Sequence, residues 1–168
     1  MKITLSISKD GVMREVAVTT AYTAGKMVGD EKALDRISTV DEDEDHLCRF
    51  WDESRADLCQ ELIGLVASEG MIVGSEQSDD SANVDTSENS PSLYEVKLDV
   101  SDSFDEALLP SMELSLFSFF VHSIAAKWYI YTNKDEAGVY ADKASTILDD
   151  LHRKAVWKKR PVRPVYED

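Results

Sequence analysis

Residues 114–126 read LSLFSFFVHSIAA, thirteen positions without a formal charge when His122 is neutral. An element apolar on nearly all sides must be surrounded by something. The run falls short of the ~20 residues a membrane span requires, so it predicts a buried core helix against which other elements pack. Ser103 or Asp105 is placed to begin this helix, and Pro110 marks a kink or its first turn, because proline is tolerated only near a helix start. Leu114, Phe117, Phe120, Val121, Ile124, Ala125 and Trp128 give it a wide apolar surface, and its body runs to Tyr131.

The rest of the chain supplies the layers. Ile3, Leu5 and Ile7 alternate with Thr4, Ser6 and Ser8, the period of a half-buried strand. Asp10 is placed to cap a helix from residue 11 to about 24, with Val12, Val16, Ala17 and Thr20 on one side; residues 29–38 read as a connector. Leu47, Phe50, Trp51, Ser54, Leu58, Leu62, Leu65 and Val66 recur every three or four positions, an amphipathic helix that Gly70 ends. Met71 to Val73 and the alternating Tyr94, Val96 and Leu98 read as the arms of a hairpin. Residues 74–91, GSEQSDDSANVDTSENSP, bury too little apolar surface to offset their ordering entropy, which predicts a mobile polar loop between those arms. Asn133 followed by Glu136 matches a capping box and opens a last helix after a very short turn, so an αα-hairpin ends the fold. Ala137, Tyr140, Ala144, Ile147 or Leu148, Leu151 and Ala155 form its inner face. The expectation is a mainly α (α+β) single domain over residues 1–168: a compact helical bundle with a small antiparallel sheet or hairpin.

A charge of −15 repels nucleic acid and anionic membrane at long range and disfavours both as partners. The first residues carry no long apolar segment followed by a small-residue cleavage site, so the chain is expected to stay in the cytoplasm. Cys48 and Cys59 lie eleven steps apart on one helix, about 16 Å at ~1.5 Å per residue, far beyond disulfide reach. They read as free thiols without a shared metal.

Catalytic patterns are missing from the sequence. His46, His122 and His152 fall in separate elements without H-E-x-x-H or a serine elbow, and the seven glycines build no phosphate loop. The expectation is no enzyme, no cofactor and no small-molecule substrate. The sharpest feature is basic: Arg153, Lys154, Lys158, Lys159, Arg160 and Arg163 stand together with no acid between them. Cations in a last helical turn complement the helix dipole, but Arg160 and Arg163 lie at or beyond the stop. With Pro161 and Pro164 stiffening it, the segment 158–168 reads as an extended arm that docks on an acidic surface, the acidic part of a neighbouring copy in preference to a phosphate backbone, with Trp157 as anchor. The spacing of Lys158, Pro161 and Pro164 also fits a ligand of SH3 domains, a short pattern that recurs by chance. The acidic counterpart is Asp41, Glu42, Asp43, Glu44 and Asp45, which suit a helix start and lack the alternate spacing and glycine of a calcium loop.

Two blocks, TTAYTAGKM with DRISTVDEDEDHLCRFWDES and KWYIYTNKDEAGVYADKASTILDDLHRK with KKRPVRP, resemble small uncharacterised proteins encoded among the virion structural genes of tailed bacteriophages and prophages. They cover residues 19–27, 35–54 and 127–164. The resemblance implies a structural or head-to-tail connector subunit that associates with itself or with other virion proteins, in the host cytoplasm or the virion. The alternative expectation is a cytoplasmic adaptor or regulatory protein that binds a different protein.

Overall fold

The computed structural model describes residues 1–27, 32–39, 43–73 and 92–159. The element order is β1 (Lys2–Ser8), α1 (Lys9–Gly25), α2 (Ala33–Ile37), α3 (Glu44–Glu61), β2 (Val66–Val73), β3 (Ser92–Asp99), α4 (Leu109–Thr132) and α5 (Lys134–Ala155), with a 3-10 turn at Glu106–Leu108 leading into α4. The fold is mainly α with one small antiparallel sheet, as the periodicities predict. The 74–91 segment and most of 158–168 lie outside the described residues.

The apolar run sits inside α4, where eleven residues are buried. Helices α1, α3 and α5 and strand β1 pack around it. Leu114, expected on the packed surface, is an exception at 67% exposed. Counted with its flanks, the stretch Glu106–Thr132 is long and apolar enough to cross a bilayer by length and composition, which corrects the shorter reckoning from 114–126 alone. In this fold it is the core helix. Pro110 lies in its first turn and Asp105 caps the preceding 3-10 turn.

The sheet has the order β1-β3-β2, all antiparallel. Ile3, Leu5 and Ile7 pair with Leu98, Val96 and Tyr94, so one face presents three matched apolar pairs to the helices. The aromatic centre lies above that face. Trp51 of α3 stacks on Phe120 of α4 with ring centroids 4.2 Å apart, and Tyr94 of β3 meets both rings edge-on, at 5.6 and 5.4 Å. On the outer edge of β1, Glu113 of α4 accepts hydrogen bonds from the Ser6 backbone N–H (3.2 Å) and hydroxyl (3.3 Å).

Four local expectations are corrected. The cap of α1 is Ser8, whose hydroxyl accepts from the Gly11 N–H at 3.1 Å, because β1 runs into α1 without a loop and Ser8 is the last extended residue. Asp10 instead holds the Ser92 N–H and hydroxyl. The connector at 29–38 contains α2, whose Ala33 and Ile37 are buried and whose Ile37 carbonyl accepts the Trp128 indole N–H at 2.7 Å. Helix α3 ends at Glu61 rather than Gly70: Gly64, at φ +86°, turns the chain into β2, and Gly70 lies within that strand. Residues 65 and 66 kept the helical spacing only by coincidence. Finally, Asn133 occupies the cap position of α5 but its side chain makes no capping bond; its carbonyl accepts from Glu136 and Ala137 (3.2 Å each), so no capping box with Glu136 forms. A single residue separates the two helices, and its backbone closes one while opening the other.

Phe120→Ala is expected to cost about 3–5 kcal/mol of stability, read from the urea midpoint at unchanged slope. A loss below about 1 kcal/mol would remove the aromatic centre from its role in holding α3, β3 and α4 together.

Candidate protein-interaction site

Helix directions decide where the charged segments fall. Helix α3 runs antiparallel to α4: Phe50 stacks on Tyr131 near the end of α4 (6.1 Å), Ser54 meets Ser123 (2.8 Å), and Glu61 reaches His152 of α5 (3.6 Å). Helix α5 returns antiparallel to α4, so Lys154 donates to Ser111 and Ser115 in the first turns of α4 at 2.9 Å each. The bundle therefore has two distinct ends. One collects the start of α3 and the end of α4; the other collects the end of α5 and the start of α4. From Asp45 to Glu61 is sixteen steps of helix, about 24 Å.

The expected acidic residues belong to the first end. Asp43 stands at the cap position of α3 without a side-chain capping bond, and Glu44 and Asp45 are exposed in the first turn. Asp41 and Glu42 lie outside the described residues. The basic residues belong to the second end. Arg153 is exposed; Lys154 is tied inward to Asp150 (2.7 Å) and the two serines; Trp157 is 53% exposed and Lys158 is exposed. The root of the expected arm follows the body, since the Lys159 N–H donates to the Ser103 carbonyl at 2.8 Å and its ammonium lies 4.0 Å from Asp105. Arg160 and Arg163, with Pro161 and Pro164, lie outside the described residues. Compared with protein-family models, curated proteins and solved structures, the chain matches none.

Trp51 and Trp128 are buried, at 2% and 8% exposure, which leaves Trp157 as the tryptophan available to a partner. The histidines stand on α3, α4 and α5; His122 lies 2.7 Å from the Ser118 carbonyl of its own helix and beside the Tyr140 ring. Cys48 and Cys59 are free thiols. Among the described residues no group of three or more His, Cys, Asp or Glu is placed to hold a metal.

Two polar clusters were invisible in the sequence. In the first, the Lys127 ammonium donates to Asp57 (2.8 Å), Ser123 (2.9 Å) and Ser54 (3.3 Å), and the two hydroxyls bond each other. The cluster pins α3 to α4. In the second, Glu69 of β2 accepts from the Tyr94 hydroxyl and from Arg55 of α3 (2.9 Å). Burial opposes the charge on Glu69, but the hydrogen bonds from Tyr94, Arg55 and Cys59 outweigh it and hold the carboxyl below its ordinary value. Burial, with Glu69 as an added cause, pushes the Cys59 thiol up to about 11 and the Tyr94 phenol well above its usual range. This network ties the sheet edge to α3. Its signal in sequence was masked because Glu69 falls where the periodicity extended α3.

Because the folded pKa of Glu69 lies below its unfolded value of 4.5, its contribution to stability is present above that value and is lost as pH falls through the folded one. Glu69→Gln is therefore expected to destabilise the protein at pH 7, with the difference from wild type shrinking as the pH falls below 4.5. The same change is expected to speed maleimide labelling of Cys59 at pH 8 in a Cys48→Ser background, by removing the carboxylate that favours the protonated thiol. Identical labelling rates would dissociate Cys59 from the network.

Proposed function

We propose that this chain is a non-enzymatic structural subunit of the virion connector type, from a phage or prophage, that acts by assembling with copies of itself or with other virion proteins. The supporting observation is the placement of its two charged segments. Glu44 and Asp45 mark one end of the bundle, and Arg153, Trp157 and Lys158 mark the other. A chain whose attractive patches are separated along a rigid body satisfies them with a neighbour rather than with itself. Contacts of that kind are heterologous, and they close into a ring when the rotation between neighbours allows it.

The remaining features fit the same reading. The strongly negative total favours protein partners over nucleic acid and over anionic membrane. Such a subunit would work in the cytoplasm of the bacterial host or in the virion. A monomeric adaptor binding some other protein is the competing reading, and oligomeric state separates the two.

Light scattering across protein concentration and salt is the decisive measurement. The expected result is a discrete oligomer that dissociates as ionic strength rises from about 0.05 to 1 M, the range over which the screening length falls to ~3 Å. Removing residues 158–168 is expected to leave the thermal midpoint within a few degrees while weakening assembly. A salt-indifferent monomer would transfer the weight to the adaptor reading.

A further inference from the structure

Helices α3 and α5 meet where Glu61 lies 3.6 Å from His152, and a cleft opens between Asp57 of α3 and the α5 helix over the surface of α4. The space between them is a cleft of about 490 Å³ whose floor includes Ile130 and Lys127. Its two walls differ sharply. The α5 wall is small and apolar: Ala137, Gly138 and Ala141, followed by Ser145. Nothing lies within 4 Å of the position a Cβ would take at Gly138, so this wall opens directly into the cleft. The α3 wall is acidic. Asp57 lines the cleft and is paired with Lys127, and on the same face of α3 Glu53 and Glu61 lie one turn to either side of it, beside Arg49 and the His152 imidazole in turn. A carboxylate has acceptor sites for about four hydrogen bonds, so this wall can accept further donors.

The complementary shape is on the same chain. At the end of α5, Val156 and Trp157 form an apolar corner, 50% and 53% exposed, between the exposed cations Arg153 and Lys158. This corner cannot fill its own cleft. Ala141, in the middle of the wall, is sixteen residues from Trp157, about 24 Å of helix, and the Lys159 N–H anchors the following chain to Ser103, at the start of α4. We propose that the cleft between α3 and α5 seats the Val156–Trp157 corner of a second copy, with Arg153 and Lys158 of that copy against the acidic α3 wall. The indole lies along the small residues of α5 and the cations complete the carboxylates. The docked copy keeps its own cleft open, so the contact repeats head to tail. This inference rests on the self-assembly reading and assigns the surface that serves it.

The test uses the full chain and a fluorescein-labelled synthetic peptide of residues 152–164, read by anisotropy. Saturable binding with a dissociation constant of about 10–100 µM is expected, weakened about tenfold or more when the peptide carries Trp157→Ala. Ala141 is exposed, so Ala141→Trp is expected to fill the cleft, retain the wild-type thermal midpoint and abolish peptide binding. A peptide that stays unbound at about 1 mM, or that binds Ala141→Trp as well as wild type, overturns the proposal. Light scattering on the same proteins separates the two readings: an oligomer that survives both Trp157→Ala and Ala141→Trp removes the cleft and retains self-assembly, whereas a wild-type monomer that binds the peptide retains the cleft and removes self-assembly in the isolated protein.

Discussion

The packing of Trp51, Tyr94 and Phe120 against one another is the contact on which the architecture turns. It is the point where a helix from the first half of the chain, a strand from the middle and the core helix from the second half meet. Each ring buries a large apolar area, and the stacked and edge-on geometries add specificity that aliphatic packing lacks. Around that centre the polar networks act as guides. Glu69 and Arg55 fix the hairpin to α3 beside Tyr94, and Lys127 fixes the other side of α3 to α4. Helix α3 is thus held on two flanks by charge and in the middle by aromatic stacking, which sets the angle at which it leaves α5.

What was legible in the sequence follows from how each element signals itself. Strand β1 and the second arm of the hairpin alternate, and the core helix is apolar over several turns, so periodicity identified these three, whereas of β2 only residues 71–73 were read as strand. Helix α2 has five residues, too few for a period, and its anchoring bond comes from Trp128, ninety-one residues later. The end of α3 was misplaced because Leu65 and Val66 continue its spacing past a turn that depends on the backbone angle of Gly64. The charged segments were legible as segments. Their placement at opposite ends was not, because it depends on helix directions that only tertiary contacts fix. The cleft is further removed still, since its small-residue wall reads along the chain as ordinary helix surface.

The distribution of charge gives the molecule a direction. A single copy is acidic overall, and two copies repel at a distance. The self-association proposed above would therefore have to bring a local cationic feature onto a local anionic one closely enough to overcome that repulsion, which happens only in particular orientations. Long-range repulsion suppresses disordered contacts, and in the proposed assembly the favoured orientation is the one that brings the cationic end of one copy to the anionic face of the next.

The Glu113 carboxylate on the outer edge of β1 has a different consequence. A strand at the margin of a sheet offers its backbone as a template for another strand, and growth by that route is open-ended and insoluble. Here the Ser6 N–H that an incoming strand would need is occupied by a side chain of the core helix. In the middle of this margin, an incoming strand therefore meets a carboxylate of the core helix where it would need a free backbone donor, which opposes pairing at that point of the edge.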